Sequence, residues 1–128
     1  MGDTSTCITV SIAQPTIKIN SIDIKRDGVS TSTIYKGEDL ARYEFWANLT
    51  VSNGTPALIT ISVYLGKDQN NLVEIGSGSI PGYSGTFSMG LEGVTLKELY
   101  GYTTTDDILN KAGVTSLTSC SYCVKIVW

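Results

Sequence analysis

Between Tyr43 and Leu65 apolar and polar positions alternate with a period of two on both sides of a break. Phe45, Ala47, Leu49 and Val51 take turns with Trp46, Asn48, Thr50 and Ser52. After Asn53-Gly54-Thr55-Pro56, the residues Ile59, Ile61, Val63 and Leu65 take turns with Thr60, Ser62 and Tyr64. A period of two sends successive side chains to opposite faces, so the pattern predicts two half-buried antiparallel strands joined as a central hairpin.

The same periodicity continues outward. Ile8, Val10 and Ile12 share one face of Cys7–Ala13, and Pro15 then interrupts the run. Ile17, Ile19, Ile22 and Ile24 follow, with a slip between Ile19 and Ile22 of the kind a β-bulge makes. Arg26-Asp27-Gly28 reads as a turn, and the Ser/Thr-rich piece to Gly37 as a loop or weak edge strand. Further strands are expected from Leu72 to Ile80, interrupted by Gly76 and Gly78, around Thr86–Met89, and from Cys120 to Trp128. Val94–Tyr102 fits neither period. Thr105–Gly113 carries helix signals: Thr105 as N-cap, Asp106 and Asp107 at the positive end, Gly113 as closing residue.

Seven or eight short strands with frequent turns predict an all-β, immunoglobulin-like antiparallel β-sandwich with one short helix near 105–112. The expected division is residues 1–14 as an N-terminal arm or first strand, and residues 15–128 as the sandwich.

Asn48–Gly54, Ile61–Leu65, Gly85-Thr86-Phe87 and Val124–Val127 together resemble the immunoglobulin-like modules of archaeal and bacterial cell-surface proteins, of the CARDB type. The resemblance runs from about Ile17 to Leu91 plus the last strand, and the segment Tyr100–Leu117 departs from it. Such modules adhere, space or assemble and share no catalytic residues, so the resemblance implies a surface or assembly role.

Composition narrows the classes. A chain of 128 residues is one domain, large enough to bury a core. Its net charge of -3 and nine Lys and Arg offer no basic stripe for a phosphate backbone, so no nucleic-acid partner is expected. No apolar run reaches the roughly 20 residues of a membrane span, and the start of the chain lacks the basic and apolar regions of a signal peptide. Either a signal was removed or the protein never used one, as a virion component made in the cytosol would not.

The chain has no histidine. That removes the commonest general base and the His-containing nucleophile pairs and zinc sites, so no catalytic residue, metal ligand or cofactor is expected. Asp106-Asp107, with Asp68 or Glu92, could hold a cation, or could simply be a solvated helix start. Three cysteines, Cys7, Cys120 and Cys123, allow one internal bridge. The spacing of Cys120 and Cys123 falls at a strand start rather than the helix N-terminus that a redox pair needs. A bridge from Cys7 to either, or buried reduced thiols, are the readings left open.

Asn48-Leu49-Thr50 and Asn53-Gly54-Thr55 are glycosylation acceptors by pattern, and both are also ordinary strand and turn sequence. Trp46 is expected to point out of the sandwich beside Tyr64 across the hairpin, as an interface or sugar platform or beneath a covering element.

The segment with Ile8, Val10 and Ile12 is either the domain's own first strand or an arm that completes a neighbour's sheet by main-chain pairing. The functional expectation is a non-enzymatic structural subunit of an extracellular filament or virion surface, located outside the cell, at its surface or on a virion. Its expected partner is itself, through strand edges and N-terminal strand exchange. The alternative is a secreted adhesion module for glycans or proteins.

Overall fold

A computed structural model of the protein describes residues 2–128. The described residues form seven strands: β1 (Thr16–Arg26), β2 (Val29–Thr31), β3 (Tyr43–Ser52), β4 (Leu58–Gly66), β5 (Leu72–Pro81), β6 (Gly85–Glu92) and β7 (Ser121–Val127). Two helices, α1 (Gly93–Tyr100) and α2 (Thr105–Ala112), lie between β6 and β7. The strands make two antiparallel sheets, one ordered β2-β1-β3-β6 and the other β5-β4-β7.

The alternation read from the sequence is realised residue by residue. Phe45, Ala47, Leu49 and Val51 of β3 face Ile59, Ile61, Val63 and Leu65 of β4 across the interior, all buried. Ile75, Met89, Leu91, Leu96 and Ile108 close the core around them.

The two strands do not form a hairpin, however. β3 pairs with β1 and β6, whereas β4 pairs with β5 and β7. Asn53–Ala57 is therefore an arch between sheets, not a turn within one. Each strand has its apolar row on one face only, and setting the two rows against each other buries both. A hairpin and an arch place identical demands on the alternation, so the periodicity could not separate them.

Two further expectations change. α1 is a second helix, in a segment whose residues follow neither period. Its Gly93 sits so close to the Leu40 carbonyl that a Cβ would lie 1.8 Å from the oxygen, and only its Leu96 is a buried large side chain. α2 spans the expected residues, but its N-cap is Thr104. The Asp107 carboxylate accepts the Thr104 N–H at 3.0 Å and the Asp107 N–H donates to the Thr104 carbonyl at 3.1 Å, in the arrangement of a capping box. Thr105 is instead fully buried, accepting the Glu38 N–H and donating to the Tyr35 carbonyl at 2.6 Å. Gly113 closes the helix at φ 71°.

The slip in β1 is real: its pairing with β3 shifts between Ile19 and Ser21. The displaced residue, Asn20, turns its amide outward and donates to Asn48 at 2.9 Å and to Thr50 at 2.8 Å. The Ser/Thr-rich piece contributes only the three-residue edge strand β2, which covers β1 no further back than Ile24.

Candidate functional site

The sheets are unequal, four strands against three, and the mismatch leaves one side of the sandwich open. There β1 and β7 stand opposite each other, with no described strand on the side of β7 away from β4. Ile17, Ile19, Ile22 and Ile24 pair with Val51, Leu49, Ala47 and Phe45, which places all four isoleucines on the interior face of β1. Tyr122, Val124 and Ile126 pair with Leu65, Val63 and Ile61, which places them on the interior face of β7.

These interior-facing residues are incompletely covered. Ile24 is buried, but Ile19 and Ile22 remain 39% and 40% exposed, and Tyr122, Val124 and Ile126 are only half-buried. Together they form an incompletely covered apolar groove along the open side.

The far end of the groove, at Ile24 and Tyr122, opens into a cavity of about 220 Å³. Ile34, Leu65, Leu109, Val114, Leu117 and Cys120 also line it. Tyr122 divides groove from core: its ring packs at 5.8 Å from Phe45, and burial pushes its phenol well above the ordinary tyrosine range. At the opposite end the Trp128 indole N–H donates to the Pro15 carbonyl at 2.9 Å, tying the start of β1 to the end of β7.

The N-terminal segment lies outside this frame. Residues 2–14 are exposed and in no helix or strand, with Ile8, Val10 and Ile12 at 85%, 67% and 92% exposure. The segment leaves the body at Pro15, beside the near end of the open groove.

The other residues singled out from sequence are scattered. Trp46 and Tyr64 do point outward, but from different sheets, because β3 and β4 are not paired. Trp46 lies on Gly90, whose backbone is so close that a Cβ there would sit 2.6 Å from the ring. Its indole N–H donates to Glu44 at 2.7 Å, and the Lys25 ammonium lies 5.3 Å from the ring centre. Tyr64 is flanked by Glu74 and Cys123 on the outer face of the second sheet.

Asn48 is held between Asn20 and Ser88, to which its amide donates at 3.0 Å. Asn53 is exposed in the arch with φ 61°. All three cysteines are free. The bridge from Cys7 is not formed: Cys7 lies in the exposed N-terminal segment, and the strand adjoining β7 across the sandwich is β1. Burial raises the Cys120 thiol above its ordinary range.

Sequence reasoning passed over the most concentrated set of charges. Glu38 accepts both nitrogens of an Arg26 fork, at 2.9 and 2.6 Å, and also takes the Arg42 guanidinium and the Tyr43 hydroxyl. The hydrogen bonds from Arg26 and Tyr43 hold its carboxyl down to about 2. Asp27 pairs with Arg42 on the outside of this group at 2.5 Å. The cluster pins the Glu38–Arg42 connection to the end of β1. No sequence periodicity points to it, since its members come from a turn, a loop, the short 3-10 helix Leu40–Arg42 and two strand ends. Asp107 likewise spends its carboxylate on the N–H groups of Thr103 and Thr104, which lower its titration.

Comparison with protein-family models, with curated proteins and with solved structures returns no match for the chain. No helix among the described residues is long and apolar enough to cross a membrane.

Proposed function

We propose that the protein is a non-enzymatic structural subunit that assembles with copies of itself by strand exchange, as in an extracellular filament or virion surface. The observation that carries this reading is the pairing of two incomplete features in one chain. One is an apolar groove that lacks a strand; the other is an exposed N-terminal segment with apolar residues at strand spacing.

The topology supports an immunoglobulin-like reading in a specific form. On that reading β1, β3 and β6 would correspond to strands A, B and E, and β5, β4 and β7 to C′, C and F, in keeping with the two strand orders. The place beside β7 is where the last strand, G, belongs in such a sandwich. An exposed strand edge is a ready template for pairing with another chain. A strand added there gains main-chain hydrogen bonds from the edge and burial for alternate side chains. Ile8, Val10 and Ile12 would each gain about 1.5–3 kcal/mol on leaving water.

Removing residues 2–14 tests this. Light scattering should show the intact protein forming concentration-dependent multimers and the shortened one remaining a folded monomer. Val10→Asp should do the same without truncation, because Val10 is largely exposed in the isolated subunit. An intact protein that stays monomeric at high concentration would overturn the proposal.

A further inference from the structure

We infer that Cys7–Ala13 of a second copy lies antiparallel to β7, with Ile8 opposite Ile126, Val10 opposite Val124 and Ile12 opposite Tyr122. The copies then stack in the same direction, and the contact repeats without closing on itself. This rests on the strand-exchange reading above and fixes its register and polarity.

Parity comes first. Directly opposite residues in an antiparallel pair share a face, so the arm's apolar row must oppose the interior row of β7. A shift by one residue would turn Ile8, Val10 and Ile12 to solvent. Of the permitted shifts, one matches all three arm residues to all three groove residues. It lays them along the exposed Ile22 and Ile19 and the partly covered Ile17 of β1. The outward pairs are then Cys7 with Val127, Thr9 with Lys125, Ser11 with Cys123 and Ala13 with Ser121. Gln14 and Pro15 continue past Cys120 and Ser119, at the mouth of the cavity of about 220 Å³.

Direction follows from the two ends of the groove. β1 runs away from Pro15 and β7 runs back towards it, so the near end holds the subunit's own Pro15 and Trp128. A donor arm lying parallel to β7 would bring the donor body to that occupied end. There the two Pro15 ends would meet, and reciprocal exchange would close a two-fold dimer. Parallel pairing is also slightly less stable per residue. The antiparallel arm brings the donor body to the far end, with its near end against the acceptor's far end, and every copy repeats the relation.

The subunit's own arm does not fill the groove: residues 2–14 are exposed and in no strand. The free edge of β7 and β1 belong to different sheets, ~10 Å apart. The three peptide steps from Ala13 to Thr16 reach only ~10 Å fully extended, so an arm paired over all of Cys7–Ala13 has no length left to reverse direction within its own subunit. A second copy supplies the paired arm.

The test uses the full chain with Cys7→Ser and Cys120→Ser, leaving Cys123, and adds Ser11→Cys, Thr9→Cys or Ala13→Cys in turn. Mild oxidation of the assembled Ser11→Cys protein should yield a ladder of covalent dimers, trimers and higher species on a non-reducing gel. Thr9→Cys and Ala13→Cys should give at least about tenfold less, since their positions lie a residue pair, ~7 Å, along the strand. A ladder from Ala13→Cys or Thr9→Cys would overturn the register and leave strand exchange standing. Bridging by Thr9→Cys that stops at dimers would identify the parallel, closed arrangement and overturn the polarity. Assembly of Thr9→Cys with failure of Ser11→Cys to assemble also counts against the register, which gives residue 11 a solvent-facing place. Absence of multimers in the unmodified protein overturns the function itself.

Discussion

Glu38 shows how much one side chain can organise. Its carboxyl titrates at about 2 against an ordinary 4.5, so the fold prefers its ionised form. That contribution is in place above about pH 4.5 and is lost as pH falls through 2. Urea midpoints should therefore drop across that window, and Glu38→Gln should flatten the slope; an unchanged slope would show that the cluster does not couple to folding. Some slope should survive, since Asp27, Asp39, Asp68 and Asp107 are held low by their own partners. Glycines give a second handle. A Cβ on Gly76 would lie 2.3 Å from Leu96 Cδ2 and 3.2 Å from Leu91 and Tyr100, whereas one on Gly78 meets only Leu91, at 3.3 Å. Gly76→Ala should lower stability by about 1–3 kcal/mol through overpacking, with Gly78→Ala clearly milder in the same denaturant melts. Read from the sequence, both glycines looked like weaknesses in a strand; in the structure Gly76 makes room for α1.

Elements were legible wherever a local signal specified them. Strand β1 with its bulge, the alternation of β3 and β4, and helix α2 with Gly113 as its stop all follow from residue order. What residue order left open was partnership. β3 and β4 alternate correctly for a hairpin or an arch, and the choice depends on burying both rows at once. That choice moved Tyr64 away from Trp46 and made the expected aromatic pair two unrelated residues. α1 was unreadable because its place is set by the contact of Gly93 with Leu40 and by one buried leucine, neither of which is periodic. The groove was equally hidden, since Ile17, Ile19 and Ile22 look like ordinary core residues until the second sheet proves one strand short. For α2 the capping box makes a direct prediction: Thr104→Ala should cost about 0.5–2 kcal/mol, and Thr105→Ala should also destabilise by stripping buried partners from Glu38 and Tyr35. Equal stability of Thr104→Ala and the parent would remove Thr104 from its capping role.

At the scale of the whole molecule, the joint between copies would be apolar side chains and main-chain hydrogen bonds. Apolar burial weakens on cooling, and none of the inferred pairs between the arm and β7 would be an ion pair for salt to screen. Multimers should therefore shrink on chilling and hold their size when salt rises from about 0.05 to 0.5 M; sizing columns run across both variables check this. Strong dissociation by salt would point to a charged interface elsewhere on the surface.

The inequality of the two sheets also has a kinetic side. A polymer built this way would carry a vacant groove at one end and an unused arm at the other, so its ends would respond to different reagents. A subunit lacking residues 2–14 accepts an arm but has none to pass on, and so acts as a chain stopper. Mixed into intact protein, it should shorten the polymers in inverse proportion to its mole fraction, as measured by electron microscopy. A free peptide of residues 2–14 should instead plug the vacant groove. Length would then be set by stoichiometry, with no separate capping protein needed.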